Sequence, residues 1–279
     1  MALKNLLVIV DPGKQTTVRI DAALLLASRF GAHLTGLFVI APPLLPGYVA
    51  PELSQELIDM ERQLAQDAAD RAALDFRSRV ERAGTGERAE WRLDHGDPDQ
   101  VAGLAARYAD LIIVGQIDPD RDRNIPAFHP EDILFAGGRP VLMVPYAGNV
   151  ASLGERIVIA WNGSREAARA VNDALPLLET ANRVTVLVIN PETGFDGPEA
   201  EPGADIALHL VRHGVKADVD RVSARGMDPA DLLLNYVADN SADLLVMGGY
   251  SRSRLRELVL GGFTRHILRH MTLPVLMSH

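Results

Sequence analysis

The 279-residue chain repeats one pattern of short apolar segments and turn signals in its two halves, and this duplication constrains the fold more than any other feature. The matched positions, with their offsets, are Asp11 and Asn162 (151), Asp97 and Asp228 (131), Asp110 and Asp243 (133), and Pro140 and Pro274 (134). The fall in offset from 151 to 131 means that the first half carries extra residues before its Asp-Pro pair. A turn-rich segment at 147–154 separates the copies, so we predict domains at residues 1–147 and 153–279.

Predicted strands and helices alternate through both halves. In the first half the pattern predicts strands at 6–10, 33–40, 88–93, 111–114 and 140–144, and helices at 17–30, 51–83 and 98–108. In the second half it predicts strands at 156–160, 183–189, 217–222, 244–247 and 274–277, and helices at 164–179, 205–213, 229–241 and 264–271. Such alternation indicates an α/β protein in which helices cover both faces of a parallel sheet.

A five-stranded doubly wound sheet of order 3-2-1-4-5 is the topology that we expect for each half. Chain direction reverses between strands 1 and 4, and ligands bind beyond the carboxyl ends of the strands at that point. In the second half those ends lie at 160–164 and 247–251, so we expect the two segments to meet in space.

The segment from Asp243 to Thr264 has the features of an anion site. An apolar run ends at Gly248-Gly249, a loop with Ser251 and Arg252 follows, and Gly261-Gly262 opens the next helix. Glycines after a buried strand let the backbone approach a ligand, and the free N–H groups at a helix start favour an anion. The segment therefore predicts a phosphate site.

This segment resembles the closing motif of the universal stress protein family in its tandem two-domain form. Nucleotide-binding members carry Gly, two residues, Gly, nine residues, Gly and then Ser or Thr. Gly248 and Gly261 match the first and third glycines, whereas Ser251 replaces the second glycine and Gly262 replaces the Ser or Thr. The resemblance implies an adenine-nucleotide alpha-hydrolase-like fold with ATP or another adenine nucleotide as its ligand.

The resemblance also implies the site residues, carried over by position in the second half. They are Asn162, Ser164, Met247, Gly248, Gly249, Ser251, Arg252, Gly261, Gly262 and Thr264. Asn162 stands where the family usually has an aspartate that faces adenine and ribose, and an amide can still donate and accept hydrogen bonds. The other interpretation is that both glycine pairs serve turn geometry and close packing of helix on sheet.

The first half lacks these features. Pro119 to Arg123 replaces the glycine-containing loop, and Phe128 and His129 stand where Gly261 and Gly262 would be. Asp118, Asp120 and Asp122 place negative charge where phosphate would lie. We therefore expect no nucleotide in the first half.

Metal and catalytic sites are not predicted. The pairs His209/His213 and His266/His270 have the spacing of helical metal ligands, but neither has an evident third ligand. Asp97 and Asp228, each followed by proline, are interpreted as helix caps. No residue stands out as a general base, so a binding protein is favoured over an enzyme.

Charge and composition limit the partners. A net charge of −9 at pH 7 argues against general nucleic-acid binding, and cysteine is absent, which excludes disulfides and thiolate sites. No apolar run reaches the roughly 18–20 residues of a membrane helix, and the N-terminal apolar stretch is interpreted as a strand rather than a signal peptide. A cytoplasmic location fits these features.

Three functions remain open. The first is a stress-response regulatory or binding protein with one nucleotide site, the second a scaffold that acts through protein contacts, and the third a slow ATPase.

The helical stripe Leu53, Leu57, Met60, Leu64 and Ala68 either binds a partner or packs on its own domain. The apolar segments at 140–145 and 274–277 are edge-strand candidates that would form a pseudo-dimer within the chain, and a homodimer stays open.

Overall fold

The computed structural model describes residues 2–42, 55–120, 128–191, 201–249 and 262–279, without the side chains of residues 55–57. The chain divides into two compact units, Lys4–Gly137 and a second unit that contains Gly138–His279. In both units strands and helices alternate, and the predicted α/β fold class is confirmed. None of the helices in these described stretches has the length and apolar character needed to cross a membrane.

The unit Lys4–Gly137 contains four parallel strands. Its elements are β1 (Asn5–Val10), α1 (Thr16–Phe30), β2 (His33–Ile40), α2 (Gln55–Arg82), β3 (Ala89–His95), α3 (Pro98–Ala106), β4 (Leu111–Gly115) and α4 (Pro130–Gly137). Strand β1 pairs with β2 and β4, and β2 pairs with β3. The resulting order, β3-β2-β1-β4, puts the predicted switch point between β1 and β4.

The unit that contains Gly138–His279 has the full predicted strand order. Its elements are β5 (Val141–Val144), β6 (Arg156–Ala160), α5 (Arg165–Leu178), β7 (Arg183–Ile189), α6 (Ala204–Arg212), β8 (Ala217–Val222), α7 (Pro229–Asp239), β9 (Leu244–Gly248), α8 (Gly262–His270) and β10 (Val275–Ser278). The parallel order β8-β7-β6-β9-β10 is 3-2-1-4-5. Strand β5 joins it antiparallel to β10, with Leu142 opposite Leu276.

Local sequence signals account for several element ends. The carboxylates of Asp97 and Asp228 accept hydrogen bonds from Gln100 N and Ala230 N, which confirms their interpretation as caps of α3 and α7. Asp110 and Asp243 directly precede the fourth strand of each repeat, and their carboxylates accept backbone N–H groups at the start of the first strand. The repeated aspartates therefore join strands 1 and 4 at their amino ends.

Three features of the structure concern what the sequence left unpredicted or open. Helix α4 was not predicted. It has only eight residues, and apolar residues do not recur at helical spacing in the segment before it. Residues 138–147, predicted with the first domain, join the second compact unit because β5 pairs with β10. On α2, Met60 and Leu64 are 54% and 58% exposed and Ala68 is half-buried, while Leu53 and the side chain of Leu57 lie outside the described residues.

Candidate functional site

The carboxyl ends of β6 and β9 are neighbours at the switch point of the second unit. The two strands pair in parallel, with Ala160 opposite Met247. The turn that follows β6 therefore begins beside Gly248, the last residue of β9. This adjacency is what the topology predicted for these two segments.

Asn162 and Ser164 form the turn between β6 and α5. Asn162 Oδ1 accepts a hydrogen bond from Ser164 N at 3.1 Å, and Ser164 Oγ accepts one from Ala167 N at 3.1 Å. Ser164 is thus the N-cap of α5. Among the described residues no acceptor contacts Nδ2 of the exposed Asn162, so this amide N–H₂ group can bind a ligand.

Gly248 is needed for close packing of α5 on β9. A Cβ atom at this position would lie 2.5 Å from Ala167 N and 2.6 Å from Glu166 C, both backbone atoms of the first turn of α5. Gly249 N donates to Ser278 O at 2.8 Å, and His279 Nδ1 lies 3.0 Å from Gly249 O. At the first glycine pair, the packing interpretation therefore accounts for Gly248, and the N–H of Gly249 is already bonded.

Glu166 places a buried carboxylate beside this glycine pair. Its Oε1 lies 2.6 Å from Arg165 Nε, and the residue is 4% exposed. Burial alone raises the pKa of Glu166, but the hydrogen bond from Arg165, a backbone N–H and the charges of Arg165 and His279 outweigh it, so the pKa lies below its usual 4.5. A carboxylate at the start of α5 already interacts favourably with the helix dipole there. Sequence reasoning missed Glu166 because it appears as an ordinary first-turn acid.

Helix α8 presents a different amino terminus. Gly262 is its exposed first residue, and a Cβ atom there would meet no atom of the described residues within 4 Å. The first turn contains no acidic residue, and Thr264 and Met247 are buried. Ser251, Arg252 and Gly261 lie outside the described residues, so their predicted roles remain predictions.

The corresponding place in the first unit is filled by an ion pair. Arg19 Nη2 lies 2.8 Å from Asp11 Oδ2 and also contacts Thr16 Oγ1. Its guanidinium covers Gly115 at the end of β4, where an added Cβ atom would be 2.5 Å from Arg19 Nη1. Burial raises the pKa of Asp11, but Arg19 and the hydrogen bonds from Gly13 and Thr16 outweigh it and hold the pKa below 3.8. That no nucleotide binds in the first half stays a prediction.

Trp161, directly after β6, is buried, and its indole Nε1 has no hydrogen-bond partner among the described residues. A buried N–H group normally has an acceptor, so this donor is available for an acceptor from a ligand or from a segment outside the described residues.

The two histidine pairs with the spacing of helical metal ligands make the following contacts. The rings of His209 and His213 are tilted by 52° with their centroids 4.6 Å apart, and His266 Nε2 lies 2.6 Å from Asp231 Oδ1. Within the described stretches, three metal-ligand groups lie together at Asp99, His129 and Asp132, which the sequence pattern did not suggest.

Comparison with known proteins identifies relatives of both halves. The sequence model of the Universal stress protein family matches residues 2–122 and 154–279. The solved structure of a universal stress protein from Archaeoglobus fulgidus DSM 4304 is 18% identical, with 98% of this chain and 97% of that chain covered at a TM-score of 0.73. A Pseudomonas aeruginosa UCBPP-PA14 protein assigned to the same family is 18% identical, with 99% and 93% covered at a TM-score of 0.57. None of the curated protein sequences compared with the chain matches it significantly.

Proposed function

The chain belongs to the universal stress protein family in a tandem form, and from this premise we propose that it is a stress-response binding protein with one adenine-nucleotide site, in its second half. The contrast between the two switch points carries the proposal. Arg19 and Asp11 fill the site in the first unit, whereas an offset of 151 residues puts Ala170 and Asn162 at the equivalent positions. Neither residue of the second pair carries a charge.

The amino terminus of α8 is the proposed phosphate subsite. In helix α5, the N–H of Ala167 already donates to Ser164 Oγ, and the first turn carries a carboxylate. Helix α8 has no acid in its first turn, so its dipole and N–H groups favour an anion. Asn162 Nδ2 and Trp161 Nε1 are the proposed donors to the base or sugar, and Ser251, Arg252 and Gly261 are the proposed loop contacts.

A regulatory or binding role is supported better than hydrolysis. The aspartate expected from the family resemblance is Asn162 in the proposed site, and an amide cannot act as a general base. Asp11, in the first unit, is held by Arg19. We place the protein in the cytoplasm as part of the same proposal.

Tryptophan fluorescence provides a test that assigns binding to one half. The chain has two tryptophans, Trp91 in β3 and Trp161 beside the proposed site. We expect millimolar ATP or AMP to raise the melting temperature and to change the emission of W91F, which retains Trp161. The emission of W161F, which retains Trp91, should not change. Absence of any thermal shift in the wild-type protein would remove the nucleotide from the proposal.

Substitution of Gly262 tests the phosphate subsite. Asp at the start of α8 should keep or slightly raise helix stability, by about 0.3–1 kcal/mol, while it repels phosphate. We expect G262D to lose the nucleotide-induced thermal shift and G262N, of matched size, to keep it. Equal shifts in the two variants would place the phosphates elsewhere.

The exposed Met60 and Leu64 favour a second candidate, a scaffold that acts through protein contacts. They lie four residues apart on one face of α2, and apolar side chains of this kind mark contact surfaces when they form a patch. For M60E/L64E, light scattering should show a change in the mass of the assembly or in the amount of partner protein that stays bound. An unchanged assembly would exclude this face as the contact.

A further inference from the structure

Asp99, His129 and Asp132 form a cluster of metal-ligand groups in the first unit. One ligand atom from each lies within 4.8 Å of the others. Asp99 is in the first turn of α3, His129 directly precedes α4, and Asp132 is in the first turn of α4. We propose that this cluster binds a divalent transition-metal ion of the zinc type.

The cluster is held in place by its own hydrogen bonds. Asp99 Oδ1 accepts from His129 N at 2.7 Å, and Asp99 Oδ2 lies 2.7 Å from His129 Nδ1. Asp132 N donates to His129 O at 3.0 Å. The carboxylate of Asp99 and the backbone of Asp132 are therefore held beside His129 before any ion arrives, which reduces the entropy that binding must overcome.

Close packing of α3 on α4 makes the support rigid. A Cβ atom on Gly103 would lie 2.6 Å from Ala136 Cβ, and one on Gly137 would lie 2.7 Å from Ala106 Cβ. Two glycine–alanine contacts of this kind bring the helix backbones together and leave little space for sliding. Ligands placed on such packed helices keep their spacing better than ligands on loops.

The donor set matches the ion class. One imidazole nitrogen and two carboxylate oxygens are ligands of Zn²⁺ and related ions, with metal–ligand distances of about 2.0–2.2 Å. In a tetrahedral site neighbouring ligand atoms are about 3.4 Å apart, so Asp99 and His129 separate slightly and the exposed Asp132 carboxylate turns inward. Coordination through Nδ1 puts the ring proton on Nε2. The half-exposed ring of His129 leaves the remaining position to water.

The second unit provides a matched pair without the third ligand. His266 Nε2 lies 2.6 Å from Asp231 Oδ1, a contact between α8 and α7 that is as short as that of His129 with Asp99. The ring of His270 lies 4.3 Å from that of His266, but among the described residues no three ligand atoms there lie within 4.8 Å of one another. Substitution in this pair therefore shows what loss of a histidine–aspartate contact alone does to metal binding, in comparison with loss of a three-ligand site.

Calorimetry with Zn²⁺ on chelator-treated full-length protein tests the proposal. We expect one tight equivalent in the wild type, its loss in H129Q, a fall in affinity of about tenfold or more in D132N, and no change in H266Q. Co²⁺ should give a visible absorption band in the wild type and H266Q but not in H129Q.

Asp132 is exposed, so D132N keeps the test valid even if H129Q does not fold. The proposal is overturned if the wild type binds no ion, if D132N binds as the wild type does, or if H209Q instead abolishes binding.

Discussion

Arg19 and Ala170 occupy equivalent positions in the two repeats, and the end of the fourth strand is covered differently in the two units. In the first unit the guanidinium of Arg19, a residue that is 4% exposed, lies over Gly115 and is neutralised by Asp11. In the second, a methyl group replaces it, and the backbone of α5 approaches Gly248 directly. An arginine within an apolar helix is usually assigned to the surface, so the sequence predicted the loss of the first site from its loop and not from Arg19.

We predict that D11N, which copies the amide of Asn162, destabilises the first unit by about 3 kcal/mol, since it leaves Arg19 buried without a counter-charge. D21N removes one of the two carboxylate partners of Arg79, the other being Asp75, and should lose less than about 1 kcal/mol. Urea unfolding at neutral pH measures both. The double variant D11N/R19M should recover part of the loss, and failure to recover would show that the charge is not the cause.

The same ion pair predicts an acid dependence. The folded pKa of Asp11 is below its ordinary 3.8, so its contribution is complete above that value and is lost as the pH falls through the lower folded pKa. The difference in unfolding free energy between wild type and D11N should therefore be constant near neutral pH and shrink below about pH 4. A difference that stays constant into strong acid would contradict the assigned pKa direction.

At the scale of elements, the first helix of each repeat meets the sheet in a different way. Thr16 and Arg19 of α1 have Ala167 and Ala170 as counterparts in α5. Small side chains let the backbone of α5 reach β9, and glycine at position 248 is the other half of that contact. A glycine motif alone could not distinguish this packing role from ligand contact, because both need the absence of a Cβ atom.

Alanine substitutions at the two equivalent glycines test this difference. We expect G248A to lose about 1–3 kcal/mol, since its Cβ atom would meet backbone that cannot rotate away. G115A should lose less, because its Cβ atom meets the end of the Arg19 side chain. Chemical denaturation of the two variants gives the comparison, and an equal loss would refute the proposed packing role of Gly248.

At the scale of the whole molecule, the sequence predicted the fold more completely than the grouping of its strands. The strands found in the described residues all fall on predicted segments, and the largely buried ones, such as β4 and β9, are continuous hydrophobic runs. Strands β3 and β8 contain charged residues and are only partly buried, so turn signals and their place in the repeat identified them. The prediction that the apolar segments at 140–145 and 274–277 pair is confirmed by β5 and β10. Repeat boundaries follow sequence similarity, whereas compact units follow contacts, so β5 could not be assigned to the second unit in advance.

Fragments that begin on either side of β5 test the proposed boundary between repeats. All four side chains of Val141–Val144 are at most 1% exposed, and full burial of such a side chain contributes about 1.5–3 kcal/mol. A fragment of residues 138–279 should therefore unfold in urea at a clearly higher midpoint than one of residues 153–279. The shorter fragment leaves the β10 edge unpaired, so light scattering should also detect its association. Equal midpoints would mean that residues 153–279 form the complete domain and that the pairing of β5 with β10 contributes little to it.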